Sequence, residues 1–173
     1  MAPSVPENRD PQHLNIAVLA HLHHPIASPY AGGLESHTAL LVETLAGRGH
    51  QVTLFAREGS RTPVALQPVL ERDFRVRGYP DDVAKDAQHA RLDGAMRLAL
   101  ATVRSGDFDA VVNNSLSPIP HGEPAGIPTL HVFHTPVLPR IAAVLSHPMW
   151  QPDPSHACHR VGEQCPGLAP ARA

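Results

Sequence analysis

Histidines recur in this sequence where a side chain could exchange a proton or bind a ligand. The chain has 173 residues and 13 histidines. His21, His23 and His24 share one segment, and His131 and His134 share a later one. Imidazole titrates near neutral pH and ligates metals. Because no cysteine or carboxylate stands close to the first group, the metal interpretation is weak, and we expect no metal site.

Two adjacent glycines, Gly32 and Gly33, stand at the mouth of a helical pattern in the stretch SPYAGGLESHTALLVETLAGRGH. Without Cβ atoms, a backbone there can approach a phosphate or sugar, and the helix N-terminus behind it favours an anion. The alternative is that the glycines only form the turn. A dinucleotide-binding loop needs G-x-G-x-x-G, and this stretch lacks that spacing. Glu58 alone, as a ribose-binding acid, does not favour a nicotinamide enzyme.

The elements that position these residues alternate between strand and helix. The helix from the glycine pair lies between the apolar strands 14–21 and 51–56, and a third, proline-interrupted strand is predicted over 63–71. A long helix over 83–105 carries a small-residue face that includes Gly94 and Ala101. Strands over 107–114 and 127–134 and a last helix over 135–147 follow, and a polar loop joins the two strands. This alternation predicts a Rossmann-like α/β domain, with a mostly parallel sheet, helices on both faces and the glycine loop at the carboxyl edge.

Composition indicates the domain bounds, the kinds of binding partner and the cellular location. Residues 1–13 are predicted to be a disordered lead-in, 14–147 the domain, and 148–173 a tail that contains prolines, histidines and both cysteines. Cys158 and Cys165, with their neighbouring histidines, fit no standard zinc-finger spacing. The net charge of −2 gives no case for nucleic acid. Since no apolar run is long enough for a membrane span and no signal-peptide pattern is present, we expect a cytoplasmic protein.

The stretch NIAVLAHLHHPIASPYAGGLESHTALLVETLAGRGHQVTLFA resembles the opening of the family 4 glycosyltransferases, which have the GT-B fold, and HVFHTP resembles a later strand of the same family. The resemblance covers residues 14–147. It implies a hexosyltransferase-like enzyme that moves a sugar from a nucleotide-sugar donor to an acceptor with retained anomeric configuration. The nucleotide-sugar is then a substrate, so no cofactor is expected.

The resemblance also implies a second domain, which carries most of the nucleotide contacts and is not represented in this sequence. We therefore expect an acceptor-side N-terminal domain that is inactive alone, and a truncated or frame-shifted end after about residue 148. Two other functions stay open from the residues. One is a standalone nucleotide- or sugar-binding module, and the other is a metal-binding, histidine-rich protein.

The family pattern assigns roles to individual residues. His134 is the expected catalytic residue and faces the transferred sugar; alternatively, it only caps a strand end. His131 is expected to be buried against a covering helix. We expect Gly33 and His134 on one wall of one cleft. Asn113 and Asn114 could bind a sugar or form an Asx turn. The expected donor- and acceptor-binding residues, each with a packing, turn or surface role as the alternative, are Gly32, Gly33, Tyr30, Glu35, His37 and Asn113.

Overall fold

A computed structural model of the protein describes residues 13–74 and 86–147. The predicted tail and nearly all of the predicted lead-in lie outside the described residues, so those two assignments stay predictions. The described residues form nine elements in the order β1 (Asn15–Ala20), α1 (Gly33–Gly47), β2 (Gln51–Arg57), β3 (Ala65–Leu70), α2 (Asp86–Ser105), β4 (Ala110–Asn114), α3 (Ile119–Gly122), β5 (Thr129–His131) and α4 (Pro139–Leu145).

The five strands form one sheet in the order β3-β2-β1-β4-β5, and every neighbouring pair is parallel. The chain runs outward from β1 to β3 and then crosses to the other side of β1 for β4 and β5. A parallel sheet needs such crossovers, and helices supply most of them. The predicted parallel α/β architecture is therefore confirmed.

Alternate residues of the central strands contribute to two separate hydrophobic cores, one on each face of the sheet. Ala17 and Leu19 of β1 face the core that includes the buried side of α2, and Val18 and Ala20 face the core that includes α1. Strand side chains point alternately to the two faces of a sheet. Both faces of β1 are covered, which is why its sequence is an unbroken apolar run.

The first helix begins and ends where the sequence predicts. Gly32 is extended, with φ −167°, and precedes the first helical residue, while Glu35 lies in the first turn. Gly49 ends the αβ turn with φ +91°, a conformation that favours glycine. A Cβ at Gly49 would also lie 2.7 Å from the His13 ring. The RGH motif thus serves the turn into β2.

The long helix α2 buries a face other than its small-residue face. Gly94 and Ala101 are exposed, and Leu98 keeps 56% of its surface accessible. The buried face carries larger side chains, because it has to cover the sheet. Its buried residues are His89, Leu92, Asp93, Ala95, Met96, Ala99, Leu100 and Val103.

The C-terminal third of the domain differs most from the prediction. Strand β5 covers only Thr129–His131, so His134 lies three residues beyond the strand rather than at its end. The predicted polar loop contains the short helix α3, and α4 is only seven residues long. Pro128 and Pro136 flank β5, and proline has no N–H to donate to a strand ladder. Within the two described segments, no helix is long and apolar enough to cross a membrane.

Candidate ligand-binding site

A crevice opens at the carboxyl ends of β1 and β4. These adjacent strands are followed by loops that diverge, because the loop after β1 leads to α1 on one side of the sheet and the loop after β4 leads to α3, which lies with α2 on the other side. Open parallel sheets bind ligands at such a topological switch point. The segment after β1 brings in His21, His23 and the glycine pair, and the segment after β4 brings in Ser115 and Ser117.

The two glycines at the entry to α1 are exposed but have different surroundings. A Cβ built on Gly33 meets no atom within 4 Å, whereas one built on Gly32 would lie 3.1 Å from Oε2 of Glu35. Gly33 therefore borders open space, and its helix N-terminus has backbone N–H groups without intrahelical partners. Tyr30, two residues before the pair, is 39% exposed.

Two histidines with unusual surroundings follow β1, the buried His21 and the half-buried His23. His21 is 3% exposed, and its ring stacks on that of His23 with centroids 6.0 Å apart. Neither ring forms a hydrogen bond to any residue that the structure describes. Nε2 of His21 lies 3.4 Å from Oε1 of the buried Glu35 without hydrogen-bond geometry. Burial, with neighbouring histidines, lowers the pKa of both rings to about 4, so both are neutral at pH 7.

His134 packs against the start of α1 although it follows β5. Its ring lies 4.3 Å from that of His37, centroid to centroid, and its Nε2 pairs with Oδ1 of Asn114. Burial, followed by the charge of His37, lowers the pKa of His134. His37 is one turn beyond Gly33, so the glycine loop and His134 lie on the same side of the sheet.

The two asparagines that end β4 serve opposite faces of the sheet. Asn113 is 1% exposed; its Nδ2 donates to Nδ1 of His131 at 2.9 Å and its Oδ1 accepts from Oγ of Ser115 at 2.7 Å. Oδ1 of Asn113 also accepts from the backbone N–H of Ser115. This hydrogen bond forms the Asx-type turn that was the alternative to sugar binding. Asn114 instead faces α1 and pairs with His134.

His131 stacks on His121 of α3, with centroids 4.4 Å apart, and His121 stacks in turn on Phe133. Burial lowers the pKa of His131 to about 4 and, together with the charge of His131, that of His121 to about 3. His131 is only half-buried, and its covering partner is the short α3, which the sequence did not predict.

The crevice continues into a partly open cleft between α2 and the start of α4. The cleft has a free volume of about 340 Å³, which includes space open to solvent. Asp93 of α2 pairs with Arg140 of α4 on its wall and accepts from Oγ of Ser117 at 3.0 Å. The walls therefore carry polar groups beside the apolar side chains of Leu22, Leu92, Met96 and Leu116, and their one arginine is matched by a carboxylate. Neutral imidazoles, hydroxyls and an ion pair suit a ligand that offers hydroxyl groups.

Most of the predicted site residues converge. Gly32, Gly33, Glu35, His37 and His134 lie around the first turns of α1, whereas Asn113 lies on the opposite face. Three further residues of the site were not predicted from the sequence. Thr38 links Asn114 to α1, and Asp93 and Arg140 form the ion pair of the cleft. Among the described residues, no group of three or more His, Cys, Asp or Glu side chains is placed to hold a metal ion.

The fold and the crevice define a class: a Rossmann-like α/β domain with its ligand site at the switch point of a parallel sheet. The model of Glycosyltransferase Family 4 matches residues 31–161, which include the glycine pair, His37, both asparagines and His134. The chain belongs to glycosyltransferase family 4, and its function is of the glycosyltransferase type. No curated protein matches the sequence.

Proposed function

We propose that this domain is the acceptor-side half of a retaining glycosyltransferase, which moves a sugar from a nucleotide-sugar donor to an acceptor. Family membership supports the reaction type. The observation that carries the assignment to this site is the contact of His134 with His37, beside the open space at Gly33. A polar, uncharged side chain and a helix N-terminus there suit a sugar next to a phosphate.

The charge that develops in the transition state limits what this domain supplies. Sugar transfer places negative charge on the leaving diphosphate, and preorganised donors must stabilise it. The described site offers backbone N–H groups at α1, while Arg140 is already paired with Asp93. We assign the main diphosphate contacts to the second domain that the family pattern implies. On this proposal, the chain alone transfers sugar slowly or not at all.

The test is to fuse the chain to the second domain of a family member and measure transfer of labelled sugar from a panel of nucleotide-sugars. The products should keep the anomeric configuration of the donor, as read by NMR. Inverted products would exclude the retaining mechanism. Binding of a nucleotide-sugar by the chain without transfer in any fusion would favour a standalone binding module.

In an active fusion, His134→Ala should lower kcat more than it raises KM, because its contact strengthens in the transition state. Gly33→Val should weaken ligand binding while the domain stays folded, since the added side chain enters open space. His147→Gln, at an exposed position beyond α4, is the matched control and should leave both constants unchanged. If His134→Ala and the control behave alike, His134 has no role in the reaction.

A further inference from the structure

Three hydrogen bonds connect the backbone of α1 to His134. The hydroxyl of Thr38 donates to the carbonyl of Leu34 at 2.8 Å, and Nδ2 of Asn114 donates to Oγ1 of Thr38 at 2.7 Å. Oδ1 of Asn114 then pairs with Nε2 of His134. Thr38 and Asn114 are 0% and 1% exposed, so water does not compete for these groups.

The order of donors and acceptors determines where the proton of His134 resides. A carbonyl oxygen only accepts, so the single hydroxyl proton of Thr38 is used on Leu34. Oγ1 of Thr38 must therefore accept, which turns the NH₂ group of Asn114 toward Thr38 and its Oδ1 toward His134. Because an amide oxygen also only accepts, Nε2 of His134 carries the proton.

We propose that Thr38 and Asn114 are positioning residues, which hold His134 as the Nε2–H tautomer and present its Nδ1 as a hydrogen-bond acceptor. A neutral imidazole has one protonated nitrogen, so Nδ1 keeps its lone pair for a ligand hydroxyl. That the hydroxyl belongs to the sugar or the acceptor rests on the proposed function. The tautomer itself does not, and it can be measured on the chain alone.

A merely structural role for the three residues predicts something different. If they only anchor the β5–α4 segment to α1, their loss lowers stability but leaves the protonation pattern of His134 unchanged. The isosteric change Thr38→Val separates the two cases. It removes the fixed acceptor for Nδ2 of Asn114, so the amide is free to turn over and donate to His134, which moves the imidazole proton to Nδ1.

The experiment is long-range ¹H–¹⁵N NMR of the histidine rings in the uniformly labelled chain, followed from pH 8 to pH 4. The wild-type protein and Thr38→Ser, which keeps the hydroxyl, should both show His134 with a protonated Nε2 and an unprotonated Nδ1. Thr38→Val should show a population with a protonated Nδ1. Asn114→Asp should raise the pKa of His134 by about one unit or more, because a carboxylate favours the imidazolium.

Thr102→Val is the matched control. Thr102 on α2 also donates to the carbonyl four residues before it, at 3.0 Å, but it is not on the path to His134. This variant should leave the His134 signals unchanged. The proposal is overturned if Thr38→Val and Asn114→Asp leave the tautomer and pKa of His134 as in the wild type. If the NMR result holds but His134→Ala is fully active in the fusion, His134 has no role in the proposed reaction and the positioning role of Thr38 and Asn114 stands; if no fusion transfers sugar, the proposed function fails and the positioning role still stands.

Discussion

Acid should destabilise this domain through the histidines that it buries in their neutral form, and His121 offers the clearest test. His121 is 4% exposed and lies between the rings of His131 and Phe133. Its pKa falls from 6.5 to about 3, mainly because burial disfavours the charged ring. His121→Phe keeps an aromatic ring in the stack and removes the titrating group.

The direction and size of this loss of stability follow from the difference in proton binding between the folded and unfolded states. Above pH 6.5 His121 is neutral in both the folded and unfolded states, so its contribution is fully present. As the pH falls toward 3, only the unfolded chain binds the proton, and stability is lost. At pH 5 a free histidine favours its protonated form about thirtyfold, which is worth about 2 kcal/mol in favour of the unfolded chain.

The assay is urea unfolding at pH 7 and at pH 5, with the loss of unfolding free energy between the two as the readout. Wild-type protein should lose about 2 kcal/mol more than His121→Phe does. Because each protein is compared with itself, any packing defect in the variant cancels. His147→Gln, which removes an exposed histidine, controls for the loss of a histidine elsewhere. Equal losses in the wild type and His121→Phe would refute a neutral, buried His121.

Two further predictions concern stability at neutral pH, measured by urea unfolding. Gly49→Ala should cost about 1–3 kcal/mol because of its positive φ and the close His13 ring, whereas Gly33→Ala should change stability by less than about 1 kcal/mol. Equal effects would contradict this assignment. Asp93→Asn should cost about 2 kcal/mol, since Arg140 then loses the charge of the buried carboxylate that pairs with it. The control is Glu123→Gln, which removes a carboxylate from an exposed ion pair and should cost less than about 1 kcal/mol. If this control costs as much as Asp93→Asn, burial does not explain the loss of stability.

The βαβ unit at the start of the domain could be predicted because its signals are local. The apolar run of β1, the glycine pair and Gly49 each determine their own stretch of chain. The small-residue face of α2 does not identify the buried face of the helix, for a physical reason. Small residues permit close packing but do not require it, and the larger Leu92 and Met96 bury more apolar area on the opposite side.

The candidate site could be predicted only in part, because its contacts join distant positions. The family pattern indicated His134 and the glycine pair. The alternation of a strand implies that Asn113 and Asn114 face opposite sides, but not which of them faces α1. Thr38 and Asn114 are 76 residues apart in sequence, and only the folded sheet brings them into contact.

Arg57, the last residue of β2, is 8% exposed and donates to three carbonyls. These belong to His23 after β1, at 2.7 Å, and to Arg72 at 2.7 Å and Phe74 after β3. One side chain thus ties together the exits of three neighbouring strands. The lengths of those loops therefore cannot be changed independently of one another. An insertion that moves any of the three carbonyl partners would leave a buried cation short of acceptors. Redesign of the His21–Gly33 segment for a new ligand should vary residues after His23 and leave its carbonyl in place.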